Sequence, residues 1–190
     1  EVLTVTPRYR GVPVSGDPAF SVTVRAGDEP VAAQVYLESL AKGVGVALID
    51  CARFYDRDGL YGRGSSDYPD NPLRFATLCR AAFVVAEQLG GRVDVLHAHD
   101  WQAGLAPYFL EAEYRAHPAF ASTVSVFTIH NLAYQGICDK EWVPRLGLNW
   151  RDFHGNGFEH WDRLSLLKAG VNFSHRLTTV SPRYAQEILT

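Results

Sequence analysis

The 190-residue sequence predicts an α/β fold, a parallel sheet with helices on both faces. Two observations point there. Short apolar runs alternate with longer stretches of helical periodicity, and several of the runs are apolar at nearly every position, as strands covered on both sides are.

Taken in order, residues 2–6 alternate apolar residues with threonine and close on Pro7, the pattern of a short strand entering a turn. Residues 11–30 hold glycine and proline interruptions and read as loop, with one short strand at 20–25. Strands are predicted at 34–37 and 44–50, and residues 53–71 form a long polar and aromatic loop containing Gly59, Gly62 and Gly64. A helix follows, with Asn71 as N-cap and Pro72 in its first turn; Phe75, Leu78, Cys79, Ala82, Phe83, Ala86 and Leu89 recur at helical spacing until Gly90-Gly91. Cys79 lies on that stripe and reads as packing.

Residues 93–98 are the next strand. It leads into an amphipathic helix carrying Trp101, Leu105, Tyr108, Phe109 and Ala112 on one face, with Pro107 forcing an irregular first turn. A strand at 123–130, a helix at 158–170, a strand at 177–180 and a last helix started by Ser181-Pro182 complete the reading; that helix is still running at Thr190.

Composition bounds the function. Lys+Arg 18 against Asp+Glu 21 give a net charge of −3 without a basic run, which argues against a nucleic-acid surface. No apolar stretch approaches the roughly 18 residues that span a bilayer. Cys51, Cys79 and Cys138 are too few and too scattered for a disulfide framework or a zinc motif, so reduced thiols in a cytoplasmic setting are expected. The opening Glu1-Val2-Leu3 has no Met and the end falls inside a predicted helix, so the expectation is a piece of a longer protein.

In parallel sheets ligands bind at the carboxyl ends of strands. The polar residues found there are Asp50-Cys51, His97-Ala98-His99-Asp100-Trp101, His130-Asn131 and Ser181. Histidines at i and i+2 share a strand face, so His97 and His99 with Asp100 raise a metal-dependent hydrolase, although no third ligand stands at a recognisable spacing. Asp100 also fits a helix N-cap, and His97 a core histidine. Serine-hydrolase, dinucleotide and phosphate-loop signatures are missing. Trp101, Tyr134, Trp142, Trp150 and Trp161, mixed with Asn131, Gln135, Asn149, Asn156 and Asp162, suit a sugar, which offers an apolar face to an aromatic plane and hydroxyls to amides and carboxylates.

Longer strings are more specific. Asp94-Val95-Leu96-His97-Ala98-His99-Asp100-Trp101-Gln102-Ala103-Gly104-Leu105, then Thr128-Ile129-His130-Asn131-Leu132-Ala133-Tyr134-Gln135-Gly136, then Leu166-Leu167-Lys168-Ala169-Gly170 and Thr178-Thr179-Val180-Ser181-Pro182-Arg183-Tyr184-Ala185-Gln186-Glu187-Ile188 closely resemble bacterial glycogen synthases and plant starch synthases. Val5-Thr6-Pro7-Arg8-Tyr9 and Phe54-Tyr55-Asp56-Arg57 look like that family's second strand and substrate loop. The resemblance covers essentially the whole chain, in order.

What it implies is a retaining glucosyltransferase that moves glucose from ADP-glucose to the non-reducing end of an α-1,4-glucan. The architecture implied is the GT-B one, two Rossmann-like domains closing on a cleft. Residues 1–190 would be the N-terminal, acceptor-side domain, truncated at both ends and lacking the C-terminal nucleotide-binding domain, which would hold most of the donor; alone it would be inactive. His130 and Asp100 would be the catalytic residues, His130 contacting the donor glucose. Trp101, Asn131, Tyr134, Gln135, His99 and, as a looser match, Tyr61 would bind substrate. The resemblance implies no metal and no cofactor beyond ADP-glucose as donor, no nucleic-acid or membrane partner, and a bacterial cytoplasmic or plastid location. A non-catalytic glucan-binding domain remains the rival class. The segment 138–161 departs most from the family, and its tryptophans receive no role.

Overall fold

The computed structural model describes residues 1–27 and 29–189. Asp28, within the expected loop at 11–30, and Thr190, within the expected last helix, lie outside the described residues. The chain forms two compact units, Glu1–Leu89 and Gly90–Thr190.

The first unit holds β1 (Val2–Pro7), β2 (Phe20–Ala26), β3 (Glu29–Ala41), β4 (Val44–Asp50), the one-turn α1 (Ala52–Tyr55), a small hairpin of β5 (Gly62–Arg63) and β6 (Ser66–Asp67), and α2 (Asn71–Gln88). Its main sheet runs β1-β4-β3-β2. The β1–β4 pair is parallel, with Val2 opposite Val44 and Pro7 opposite Ile49, whereas β2–β3 and β3–β4 are antiparallel. The expected four-residue strand at 34–37 is therefore the middle of a thirteen-residue one. Its buried Val31, Ala33 and Val35 alternate with exposed neighbours and pack with Val22, Val24, Ala47 and Ile49 on one core, against Ala81 and Val85 of α2.

Helix α2 begins at Asn71, its predicted cap, so that the cap moves one residue earlier. Asp70 is the N-cap and makes no side-chain cap bond, while the Asn71 side chain donates to the Tyr61 carbonyl (2.7 Å) and accepts from Arg74. Arg74 is fully buried and organises the long loop: it donates to the carbonyls of Phe54 (2.7 Å) and Leu60 (3.0 Å) and to Asn71 Oδ1 (2.5 Å). Its guanidinium also faces the rings of Tyr68 and Phe75, each 5.2 Å away. A buried cation is tolerable when its donors are satisfied in this way.

The second unit runs β7 (Val95–His99), α3 (Asp100–Ala103), α4 (Leu105–Phe109), a π-helical turn (Leu110–Tyr114), β8 (Val124–Ile129), β9 (Ile137–Asp139), α5 (Trp142–Arg145), a 3₁₀ turn (Trp150–Asp152), β10 (Glu159–His160), β11 (Arg163–Ser165), α6 (Leu166–Phe173), β12 (Arg176–Thr179) and α7 (Pro182–Glu187). Here β12-β8-β7 form a fully parallel sheet, as the sequence predicts, and β10-β11-β9 a small antiparallel one. The helix after β7 is irregular, broken at Gly104 and ending in the π turn, in keeping with Pro107.

The predicted helix at 158–170 is corrected. Residues 159–165 are a β-hairpin, and the helix starts only at Leu166, where Ser165 Oγ accepts the Lys168 N–H at 3.1 Å. Buried Phe158, Leu164 and Leu166 supplied apolar positions compatible with either period. The cap at Ser181 is as predicted, accepting from the Tyr184 N–H at 3.1 Å. No helix among the described residues is long and apolar enough to cross a membrane.

Candidate active site

The candidate site is built on the carboxyl ends of β7 and β8. The strand pleat sends His97 and His99 to one side, their ring centroids 4.2 Å apart. Parallel register sets His99 beside Thr128, and Thr128 beside Thr178 of β12. His97 Nε2 lies 2.7 Å from Thr128 Oγ1, which lies 2.6 Å from Thr178 Oγ1. The core placement expected for His97 is thus corrected: its residue is exposed and its ring is held by a threonine pair on the neighbouring strands.

His99 Nδ1 lies 3.0 Å from His130 Nε2. One nitrogen must donate and the other accept, so the tautomer of each ring fixes the other. Burial, reinforced by the rings of His97 and His130 and opposed by Asp100, holds the His99 imidazole below its ordinary value of 6.5. His99 is therefore a neutral partner at pH 7.

Asp100 follows β7 in the left-handed region, φ 53. It does not cap its helix as expected; the N-cap position is His99, without a side-chain bond. Its carboxylate reaches the other way instead: Oδ1 accepts the N–H of His130 at 2.8 Å and of Asn131 at 3.4 Å. A backbone strained in this fashion lets a residue at one strand end clamp the next. The loop beyond β8 has further anchors. Tyr184 Oη accepts the Leu132 N–H (2.8 Å), Asn131 Oδ1 accepts the Ala133 N–H (3.0 Å), and the Gln135 carbonyl accepts the Leu167 N–H (3.1 Å).

His99, Asp100, His130 and Asn131 are thus brought together. Trp101 packs beneath them with only 9% of its surface exposed. Gly136 closes over it: φ is +59, and a β-carbon there would stand 2.7 Å from Trp101 Cε3, so both the conformation and the close approach require glycine. Tyr134 points into solvent, 66% exposed, and Gln135 is half-buried. Tyr61 belongs to the first unit, where it is 40% exposed with its ring 6.0 Å from Phe75.

Sequence reasoning gave no role to Thr128, Thr178 or Tyr184. All three stood in the quoted strings, but which threonines touch depends on register between three strands, which no single segment displays. Among the described residues no group of three or more His, Cys, Asp or Glu side chains is placed to hold a metal ion, so the metal alternative gains no third ligand.

The family description "starch synthase catalytic domain" matches residues 1–190. Glycogen synthase of Anaeromyxobacter dehalogenans (strain 2CP-C) is 44% identical over 193 residues, covering 100% of this chain and 40% of that protein. Glycogen synthase of Treponema denticola is 48% identical over 146 residues, 76% of this chain and 30% of the relative. The solved catalytic domain of starch synthase IV from Arabidopsis thaliana, bound to ADP and acarbose, superposes with a TM-score of 0.84 at 25% identity over 98% of this chain and 39% of that one. The chain therefore spans about 40% of the length of the curated relatives that it matches throughout.

Proposed function

The chain belongs to the starch synthase catalytic domain family, and from that premise we propose that it is the N-terminal, acceptor-side portion of a retaining glucosyltransferase that passes glucose from ADP-glucose to the non-reducing end of an α-1,4-glucan. The observation that carries the reading is the clamp at the sheet rim: His130 held at its ring by His99 and at its backbone by Asp100.

Glucosyl transfer develops positive charge at the anomeric carbon as the bond to ADP breaks. Fixed dipoles and hydrogen-bonding groups already in place stabilise such charge without reorganising. His130, with its ring orientation fixed from behind, contacts the donor glucose in this reading; Asp100 holds the loop that presents it. Asn131, Tyr134 and Gln135 supply amide and aromatic contacts to sugar, and Trp101 supports the floor. ADP-glucose is the substrate and no resident cofactor or metal is invoked. Most of the nucleotide contacts are assigned to a C-terminal domain outside residues 1–190, and the setting to the cytoplasm.

Transfer of labelled glucose from ADP-glucose to glycogen tests this. The full-length enzyme transfers it and the 190-residue chain alone does not. Calorimetry on the 190-residue chain gives weak maltooligosaccharide binding and no measurable ADP-glucose binding. A full-length protein that binds glucan but transfers no glucose makes this a binding domain instead.

A further inference from the structure

The segment 130–136, which carries His130, Asn131, Tyr134 and Gln135, lies between β8 and β9 outside any strand or helix, so the placement of those side chains depends on what holds its backbone. Asp100 holds the entry at the N–H groups of His130 and Asn131. The N–H groups of Leu166 and Leu167 hold the exit at the carbonyls of Gly136 and Gln135. In the middle, the N–H groups of Ala133 and Tyr134 bond back to Asn131 and stay within the segment. The hold on the middle from outside is Tyr184, whose hydroxyl oxygen accepts the Leu132 N–H at 2.8 Å.

Tyr184 reaches this point from the unit formed by β12 and α7. Strand β12 pairs in parallel with β8, Thr179 opposite Ile129, and Ser181 then caps α7, its Oγ accepting the Tyr184 N–H at 3.1 Å. The cap fixes the backbone of Tyr184 in the first helical turn, and its half-buried phenol extends to Leu132. Thr179 supplies a second hold from the same unit, its hydroxyl donating to the Ile129 carbonyl at 2.7 Å. His130 and Asn131 therefore stand between two side-chain holds, at residues 129 and 132, while Asp100 takes their own N–H groups.

We propose that Tyr184 and Thr179 are positioning residues for glucosyl transfer, which touch no substrate and act by fixing the backbone on either side of His130. The inference rests on the reading of the chain as a glucosyltransferase with His130 at the donor glucose. One neutral hydrogen bond contributes little to folding, whereas a shift of about 1 Å at a reacting group costs on the order of a hundredfold in rate. The two holds thus matter more to turnover than to stability.

Tyr184→Phe reads one contact, because among the described residues the Tyr184 hydroxyl bonds to Leu132 alone. Thr179→Val keeps the side-chain shape and removes the donor, and Thr179→Ser puts a hydroxyl back. In the full-length enzyme, with ADP-glucose and maltooligosaccharide, Tyr184→Phe and Thr179→Val should each lower kcat about tenfold or more. Both KM values should stay within about threefold of wild type and the melting temperature within about 4 °C. Thr179→Ser should recover most of the turnover that Thr179→Val loses. Wild-type kcat in Tyr184→Phe overturns the proposal, whether or not the melting temperature falls. So does a raised KM at wild-type kcat, which makes Tyr184 a substrate contact, and so does a Thr179→Ser variant as slow as Thr179→Val. Near-normal turnover in His130→Ala is a separate failure that removes the underlying reading; a slow His130→Ala beside a normal Tyr184→Phe removes this inference alone.

Discussion

His99 Nδ1 and His130 Nε2 lie 3.0 Å apart, so two imidazoles at the ends of neighbouring parallel strands share one hydrogen-bonding proton. This contact gives the rim a pH dependence with a definite sign. Burial, then the His97 and His130 rings, depress the His99 value while Asp100 pulls the other way. Below about pH 6.5 the unfolded chain binds a proton at this position more readily than the folded chain, so stability present above pH 6.5 is lost as pH falls through the depressed value. Urea denaturation between about pH 7.5 and about pH 5 should show this loss, and His99→Gln should flatten it. An unchanged slope in the variant removes His99 from the effect.

Asp100 makes the second prediction. Asp100→Ala strips an acceptor from two backbone N–H groups and leaves a β-carbon in the left-handed region without the polar side chain that tolerates it. It should cost about 2 kcal/mol more in unfolding free energy than Asp100→Asn, which keeps both an acceptor and a left-handed-tolerant side chain. Equal losses in the two variants contradict the clamp.

Much of this arrangement was legible in the sequence. Continuous apolar runs located β4, β7 and β8, and the residues just beyond β7 and β8 were the ones that came together. What could not be read was direction across strands. The contact of His97 with Thr128, and of Thr128 with Thr178, follows from register over a separation of 50 residues in the latter pair. Asp100 looked like a helix cap because a strand-to-helix junction ordinarily uses aspartate so; only its left-handed backbone turns the carboxylate to the next loop. The hairpin at 159–165 was missed because a two-residue turn made of Trp161-Asp162 carries none of the usual glycine signal.

Arg74 governs the loop that carries Tyr61. Arg74→Met leaves the carbonyls of Phe54 and Leu60 and the Asn71 amide oxygen without their donor, and should destabilise by about 3 kcal/mol or more. Arg74→Lys should recover less than half, because one ammonium cannot reproduce a planar fork aimed at three oxygens. Chemical denaturation of the two variants provides the check; full recovery by lysine contradicts the geometric argument.

The three thiols should resist modification. Cys51, Cys79 and Cys138 are all buried. Burial pushes the Cys138 thiol up to about 12 and raises that of Cys51 as well, so neither supplies thiolate at neutral pH. Ellman's reagent should label none rapidly in native buffer and all three in denaturant. Rapid native labelling of Cys138 contradicts its buried place on β9, beside Leu164 of β11.

The most direct test of the central claim is turnover by His130→Ala in the full-length enzyme, with ADP-glucose and maltooligosaccharide, alongside its melting temperature. A group that stabilises developing charge at the reacting carbon predicts a fall in kcat of about 100-fold or more with the melting temperature little changed. A variant that folds normally and turns over near the wild-type rate would contradict the assignment of this rim as the place where glucose is transferred.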